Sequence, residues 1–332
     1  MFDIDLKTYL GVILFLVAAI GMLLNLTVAG PVFRLALAKD KSSIYVISCF
    51  NIINDIVHLI LSTFYLAPSI IFDSFLISQE KNSRIVVLIS FVFMFCWYIG
   101  NIIQIVMALN RWAVICFRNT SVFTKRNLLI LFVFTIAFAA IKSYIIQYVL
   151  PCCVFIVDHT VLSYSYYLID DIPNYTDQSD IPLNALSSII PVICYTWIFI
   201  NLRSSSKSIC PSMKGDMQKL RSRQELTYAM QFCLISIFYT FSWIMFRVFP
   251  IIFDGRKIEW YILTSICHVF NCTSNAFVYV IFNKEIKRQL TLNRIFRLSM
   301  KYSSDRHHST EYQSQSKCYS IPIPTARRQQ TI

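Results

Sequence analysis

The sequence from residue 105 to 114 reads Ile105-Val-Met-Ala-Leu-Asn110-Arg111-Trp112-Ala-Val114 and closes an apolar run that begins near Ile85. The guanidinium group of Arg111 is always charged, so burying it in a membrane is costly unless it meets water or a partner. Arg111 is therefore either a plain flanking charge at the inner end of a membrane helix or a functional group at that end. The remainder of the chain decides between these two interpretations.

The composition is that of an integral membrane protein. Of the 332 residues, 56% are hydrophobic and only 14% are charged, whereas about a quarter of a soluble domain is charged. A net charge of +12 would suggest nucleic acid in a soluble protein, but the basic residues here cluster between apolar segments, so the partner they indicate is the lipid membrane. The 11 cysteines lie mostly within apolar runs and lack metal-ligand spacing, so no metal or cofactor is expected.

Seven stretches of the chain are apolar over about 20 residues or more, the length that a helix needs to cross a bilayer. They cover residues 9–33, 43–68, 85–112, 127–150, 183–202, 226–250 and 258–283. We therefore predict an all-α membrane protein in which residues 9–283 form a bundle of seven transmembrane helices after a short extracellular segment, 1–8. An amphipathic eighth helix is predicted over 284–298, and a disordered, Ser-rich cytoplasmic tail over 299–332.

Basic residues set the predicted orientation of the bundle. The first, third and fifth connections carry three, four and six Lys or Arg residues, and the segment from Lys284 carries ten. The connection over 151–182 has five Asp and no Lys or Arg. Because basic connections stay in the cytoplasm, the N-terminus and 151–182 are predicted outside and the tail inside. The sequon Asn174-Tyr-Thr176 supports this orientation and predicts N-glycosylation of Asn174.

Polar residues inside the spans are arranged as in rhodopsin-like receptors. The sequence Asn275-Ala-Phe-Val-Tyr279 has the spacing of the NPxxY motif, with alanine in place of proline. Asn25 and Asp55 match the polar residues of the first and second helices, and Asn110-Arg111-Trp112 stands where those receptors have Asp or Glu, then Arg and Tyr. Each motif is weak alone, but their order and spacing along seven spans resemble the rhodopsin-like G-protein-coupled receptors.

Among these receptors, the sequence is most similar to the nematode serpentine chemoreceptors of the Srx class. The similarity rests on Leu109-Asn-Arg followed by an aromatic residue, on Ala67-Pro68 and on Cys152-Cys-Val-Phe155, and it covers residues from about 10 to 300. It implies a chemosensory receptor, not an enzyme, that binds an extracellular small molecule and activates a heterotrimeric G protein. The implied location is the plasma membrane, including the sensory cilium.

The resemblance also implies roles for individual residues in activation. Asn25, Asp55 and Asn275 would form a polar relay between the ligand pocket and the cytoplasmic cleft. Tyr279 and Trp243 would change position when the receptor is activated. The disulfide common in rhodopsin-like receptors is expected to be missing, because the third span has no cysteine at its outer start.

A coupling site is implied at Asn110, Arg111 and Trp112. Asn110 is neutral where the family has an acid, so it cannot hold Arg111 by charge. Glu225 begins the sixth span, where related receptors place the acid that pairs with the arginine. We therefore expect an Arg111–Glu225 ion pair that stabilises the closed state. The alternative is a solvated Glu225 among neighbouring arginines.

The ligand pocket is expected in the outer half of the bundle. Phe93 and Trp97 share a face of the third span, Trp243 and Arg247 share a face of the sixth, and His268 lies two turns before the NPxxY-like motif. These residues would line an aromatic cavity with a cationic wall. Phe93 stands where amine receptors have an aspartate, so the expected ligand is acidic or polar. The alternative is that the aromatic residues only pack and Arg247 reaches outward to water.

Two other classes of protein fit the sequence less well. A seven-helix ligand-gated channel or transporter would need the opposite orientation or a site on broken helices, and the basic connections and Asn174 argue against it. A membrane enzyme would need convergent His, Asp or metal ligands, but the five histidines are scattered. Whether the receptor forms homo- or hetero-oligomers is left open by the sequence.

Overall fold

The computed structural model describes residues 6–38, 42–78, 80–117, 121–168, 172–207, 230, 232–248, 252 and 258–291. The described residues up to 286 belong to one compact unit, and residues 287–291 belong to a second. Residues 287–291 are helical. All of the predicted functional residues that the structure describes belong to the first unit.

Seven long helices make up the first unit, within the residues that the structure describes. They are α1 (Leu6–Leu37), α2 (Ile44–Ile71), α3 (Arg84–Cys116), α4 (Lys125–Val149), α5 (Tyr175–Lys207), α6 (Phe232–Val248) and α7 (Ile258–Phe282). Six of them are long and apolar enough to cross a membrane, and α6 is apolar but shorter. The predicted sixth span, 226–250, extends beyond the described part of α6 at both ends. An antiparallel hairpin of β1 (Val154–Asp158) and β2 (Ser163–Tyr167) stands between α4 and α5.

Helix α5 begins at Tyr175, two turns before residue 183, where the apolar pattern predicted the fifth span to start. The side chain of Asn174 caps the helix by accepting a hydrogen bond from the backbone N–H of Asp177 at 3.0 Å. The first two turns are polar but buried in part, with Thr176 at 0% and Asp180 at 3% exposed. The apolar pattern missed these turns because their polar residues pack against protein rather than lipid.

The predicted eighth helix is described only over its first half. The side-chain oxygen of Asn283 accepts hydrogen bonds from the backbone N–H groups of Glu285 and Ile286, both at 3.1 Å, and so caps a new helix after α7. Residues 284–291 are helical. Residues 292–298 and the tail lie outside the described residues, so the amphipathic helix over 284–298 stays a prediction.

Helix α3 lies in the middle of the bundle, since it packs against α2, α4, α5 and β1, while α1 packs against α2 and α7. The backbones of α1 and α7 approach closely at Gly21, where an added Cβ would overlap the hydroxyl of Thr273. That hydroxyl donates a hydrogen bond of 2.7 Å to the carbonyl of Val269 in α7, which fixes its position. The contact between α1 and α7 therefore depends on glycine at position 21.

We expect Gly21→Ala to destabilise the protein by about 1–3 kcal/mol, the usual effect of overpacking a well-packed site. Gly30→Ala is the matched control, because Gly30 is in the same helix and a Cβ there meets nothing within 4 Å. Thermal unfolding of the two purified variants in detergent measures the difference. Equal melting temperatures would contradict the close packing of α1 against α7.

Polar contacts from three helices hold the hairpin in place. The side-chain amide of Gln147 in α4 bonds both the N–H and the carbonyl of Phe155, each at 3.1 Å. Ser90 of α3 accepts a hydrogen bond of 3.0 Å from the β1 backbone. Ser265 of α7 donates one of 3.0 Å to the carbonyl of Leu162. The hairpin is therefore positioned by hydrogen bonds to the helices on both sides of it.

Two neighbouring cysteines before the hairpin pair with each other. Cys152 and Cys153, which precede β1, form a disulfide with each other. Cys96 of α3 is buried and is a free thiol. The third helix is thus not joined to the hairpin through Cys96. The hydrogen bonds from Gln147, Ser90 and Ser265 hold the hairpin in place instead.

Asp158, the last residue of β1, anchors the hairpin turn. Its carboxylate forms an ion pair with Lys81 at 2.5 Å and accepts hydrogen bonds from the backbone N–H of Thr160 at 2.9 Å and the hydroxyl of Ser165 at 2.7 Å. Burial alone would raise the pKa of Asp158, but the bonds from these three partners outweigh it and hold the pKa below its usual value. The carboxylate is therefore charged at neutral pH and keeps the turn closed.

Candidate ligand cavity and receptor core

One cavity, called the aromatic cavity here, is lined by all five residues predicted for the ligand pocket: Phe93 and Trp97 of α3, Trp243 and Arg247 of α6, and His268 of α7. The ring centroid of His268 lies 5.1 Å from that of Phe93 and 5.8 Å from that of Trp97. Phe93 and His268 are both buried. The four-residue spacing on α3 and α6 thus places these side chains on helix faces that meet inside the bundle.

The hairpin supplies three more aromatic side chains to this cavity, Phe155, Tyr164 and Tyr166, which were not predicted. The ring centroids of Tyr164 and Phe155 lie 4.5 and 5.4 Å from that of Phe93. Tyr164 and Tyr166 alternate with serines over residues 163–166, which is the period-two pattern of a strand. Interpreting the connection 151–182 by its charge alone missed this signal.

The cationic wall predicted at Arg247 is neutralised by an acid. The guanidinium group bonds the carboxylate of Asp177 in α5 and donates to its backbone carbonyl at 3.2 Å. Asp180, one turn further along α5, lines the same cavity. It accepts a hydrogen bond of 2.5 Å from the hydroxyl of Tyr98 and pairs with Lys142 of α4 at 3.1 Å. The cationic wall expected at Arg247 therefore has an acidic partner that the sequence did not indicate, because the two acids were assigned to a connection instead of α5.

The free space between the side chains of the aromatic cavity is small, about 40 Å³. A buried water needs roughly 10–15 Å³ on the same measure, so the cavity in this state has room for only a few water molecules. A ligand that binds here is therefore either very small or moves aromatic rings aside as it enters.

A second cavity, called the polar cavity here, lies beside the first, and Trp97 and His268 line both. The remaining lining includes polar side chains of α2, α3 and α7, namely Asn51, Asn54, Asp55, His58, Gln104, Asn271 and Asn275. Asn275 donates a hydrogen bond of 2.6 Å to Asp55. Asn25 donates one of 3.2 Å to the backbone carbonyl of Cys272. The three residues of the predicted relay thus join α1, α2 and α7 next to the aromatic cavity.

His58 of α2 is a residue of this region that the sequence did not single out. Its ring centroid lies 4.7 Å from that of His268 and 4.8 Å from that of Phe93. A lone histidine in an apolar span gives no signal by itself, so only its spatial pairing with His268 reveals its place. His58 lines the polar cavity and contacts His268, which lines both cavities.

The opposite end of the bundle from the hairpin, called the Arg111 end, holds the predicted coupling residues. The guanidinium carbon of Arg111 stands 5.1 Å from the ring centre of Phe232 in α6, a cation–π distance. The ring of Tyr279 in α7 contacts the same phenylalanine, with centroids 6.3 Å apart. Arg111 and Tyr279 are 5% and 1% exposed. Phe232 therefore links the predicted coupling arginine to the predicted switch tyrosine.

Arg111 does not end its helix, because α3 continues to Cys116. A plain flanking arginine would be exposed to water, so the burial of Arg111 favours a functional group over a topology charge. Asn110 is buried and Trp112 is half-buried. Glu225 lies outside the described residues, so the Arg111–Glu225 pair stays a prediction.

Seven helices, with a hairpin over an aromatic cavity at one end and a buried arginine at the other, form a rhodopsin-like seven-helix fold. The crystal structure of squid rhodopsin is similar to this chain, with a TM-score of 0.67 over 90% of this chain and 89% of that one. The sequence identity is 12%, so the similarity shows the fold alone. The predicted rhodopsin-like fold is confirmed.

The family model of the serpentine type 7TM GPCR chemoreceptor Srx matches residues 15–283, which is most of the chain. The chain therefore belongs to the Srx family of G-protein-coupled chemoreceptors, as its motifs predicted. A search of the curated proteins gave no match. Membership of this family makes the chain a multi-pass membrane receptor, which is a class distinct from enzymes.

Proposed function

We propose that this receptor binds a small molecule in the aromatic cavity and activates a heterotrimeric G protein at the Arg111 end. The observation that carries the proposal is that Trp97 and His268 line both the aromatic cavity and the polar cavity of Asp55 and Asn275. A ligand that moves either ring changes the surroundings of the relay directly. The relay joins α2 to α7, and α7 contacts α6 beside Arg111, so packed side chains connect the two ends.

Activation, on this proposal, moves α6 away from Arg111. In the present state the guanidinium group lies over Phe232 of α6, and Tyr279 packs on the same ring. Outward movement of α6 breaks both contacts and opens a cleft for the G protein. An ion pair between Arg111 and Glu225 would reinforce the closed state. The change in α6 would also free Tyr279 to turn inward.

The cavity favours a neutral, polar ligand over a charged one. Arg247 and Asp177 neutralise each other, as do Lys142 and Asp180. A charged ligand would break one of these pairs or bury its own charge without a partner, and both are costly. A flat molecule with a hydrogen-bonding group avoids both costs and stacks on the aromatic walls. Of the acidic or polar ligand expected from the sequence, the polar class is the one we propose.

We propose that the hairpin end faces the outside of the cell, as the basic connections predict. Asn174→Asp should then remove the N-glycan while keeping the helix cap, because aspartate caps a helix as well as asparagine does. Thr176→Ser is the control that retains the sequon and should keep the glycan. Gel mobility before and after glycosidase treatment measures the change. A glycan that persists in Asn174→Asp, or a tag after residue 332 that is stained on intact cells, would contradict this orientation.

A screen of neutral small molecules on cells that express the full chain, with calcium and cAMP readouts, tests the proposed function. We expect a ligand found in this way to lose about tenfold or more in potency, or ~1.4 kcal/mol, in His268→Ala. Phe270→Ala is the matched control, because Phe270 is in the same helix and is 52% exposed. Equal loss in both variants would place the binding site elsewhere.

A further inference from the structure

Lys142, to which the sequence assigned no role, closes one side of the aromatic cavity. Its ammonium group lies 3.1 Å from the carboxylate of Asp180 and donates a hydrogen bond of 2.9 Å to the carbonyl of Ser179 in α5. It also stands 4.7 Å from the ring centre of Tyr98. Asp180 lines the aromatic cavity, whereas Lys142 lines a groove on the outside of the bundle. The ion pair therefore separates the cavity from the groove.

The groove runs between α4 and α5 and has a volume of about 600 Å³. Its walls include Phe138, Ile141 and Ile145 of α4 and Tyr175 of α5. Ile141 and Ile145 are 61% and 42% exposed within a span long enough to cross the membrane, so they face lipid. Helix α4 forms a π turn over Ile145–Val149 at this point, a local widening that is frequent at functional sites. Acyl chains and lipophilic molecules in the bilayer thus have access to the groove.

The hairpin covers the cavity on the side that the proposed orientation turns toward water. Phe155 and Tyr164 on its inner face are 3% and 8% exposed. Gln147 holds Phe155 by two hydrogen bonds, and Ser265 holds the carbonyl of Leu162. Entry from water would break these bonds and separate a packed aromatic cluster. Entry from the groove needs the Lys142–Asp180 pair to part.

We propose that the ligand enters the aromatic cavity from the membrane, through the groove between α4 and α5, with the Lys142–Asp180 pair as the gate. Parting the pair is costly because both charges are poorly solvated, but each partner keeps a hydrogen bond, which lowers that cost. Asp180 stays bonded to the hydroxyl of Tyr98 and Lys142 to the carbonyl of Ser179. The long lysine side chain also reaches toward the water boundary near the start of α5. This inference rests on the proposed function, in which the aromatic cavity binds the ligand.

Entry from the bilayer narrows the class of ligand. Within the neutral ligands proposed above, the ligand is one that is lipophilic enough to partition into the membrane, and it has a thin apolar body that passes between two helices. The ligand also carries a hydrogen-bonding group, which can form hydrogen bonds with the side chains of Asn184 and Thr264 in the cavity wall. Ions and sugars do not take this route, because they do not enter the hydrocarbon region of a bilayer.

Photolabelling of the full chain in lipid nanodiscs tests the route. One probe is a diazirine-bearing long-chain alcohol dissolved in the bilayer, and the other is a sulfonated phenyl-diazirine added to the water. After illumination, mass spectrometry maps the labelled residues. We expect the bilayer probe to label the groove and the α3 peptide that contains Phe93 and Trp97, and the water-soluble probe to leave that peptide unlabelled.

Two isoleucines of α4 give a matched comparison. Ile145→Trp fills the groove and should lower labelling of the cavity by the bilayer probe several-fold. Ile136→Trp should leave it unchanged, because Ile136 has the same 42% exposure but does not line the groove. Ile141→Trp is a second way to fill the groove and should act as Ile145→Trp does.

Three results would overturn the route: cavity labelling from water, equal labelling in the Ile136 and Ile145 variants, or no labelling of the cavity by the bilayer probe. These results are separate from the test of receptor function. If the cavity is labelled from water while signalling persists, the entry route is contradicted and the proposed function is not. If the cavity is labelled through the groove but no signalling occurs, the proposed function is contradicted and the entry route is not.

Discussion

Arg111→Ala is expected to abolish measurable signalling, which requires the rate of G-protein activation to fall by well over about tenfold, while surface expression stays close to that of the wild type. The guanidinium group lies buried against Phe232 of α6, on the surface that the proposed outward movement of α6 uncovers. Once uncovered, a fixed charge with five N–H donors can bind carbonyl groups of an inserted G-protein segment. Alanine removes all of these donors.

Arg203 provides the control for the Arg111 experiment. It is an exposed arginine near the end of α5, at the membrane face that the orientation assigns to the cytoplasm. Arg203→Ala should therefore leave signalling unchanged. Ligand-driven cAMP or calcium responses at equal surface levels measure both variants. If the two variants signal alike, Arg111 is a plain flanking charge and the coupling site lies elsewhere.

The largest effect on stability is expected when one partner of the Lys142–Asp180 pair is removed. The Asp180 and Lys142 side chains are 4% and 16% exposed, so either charge left alone is poorly solvated. Asp180→Asn and Lys142→Met should each lower the free energy of unfolding by about 3–5 kcal/mol, as is found when one partner of a buried ion pair is removed. The double variant removes both charges and should recover most of that loss, because no unpaired charge remains.

A double-mutant cycle with thermal unfolding measures this coupling. The pair of Lys7 and Asp73 is the matched control, since its atoms are 2.9 Å apart but its side chains are 30% and 63% exposed. Lys7→Met should cost less than about 1 kcal/mol, because water screens an exposed pair. Single variants of the buried pair that are no more destabilising than Lys7→Met would show that water reaches Lys142 and Asp180.

The helical fold could be predicted from the sequence because apolar length is a local property. Each of the seven spans is visible in its own stretch of residues, and basic residues mark the connections. The start of α5 could not be predicted in the same way. Its first two turns hold Asp177 and Asp180. An acidic residue is stable in a helix within the membrane region only when a basic residue on another helix pairs with it. Those partners, Arg247 and Lys142, are distant in sequence.

The aromatic cavity shows the same division between local and distant information. The four-residue spacing of Phe93 and Trp97 is local, and it placed both on one face of α3. The contribution of Phe155 and Tyr164 depends on how the hairpin folds back over the helices, which the alternation of Tyr and Ser does not specify. The pairing of His58 with His268 likewise arises only when α2 and α7 come together.

The most direct measurement of the central claim is nucleotide exchange on a panel of purified heterotrimeric G proteins, catalysed by the full chain in lipid nanodiscs. We predict that the wild-type receptor, with a small molecule found in the cell screen, accelerates exchange on at least one G protein and that Arg111→Ala does not. A receptor that binds the small molecule but accelerates exchange on no member of the panel would contradict the claim.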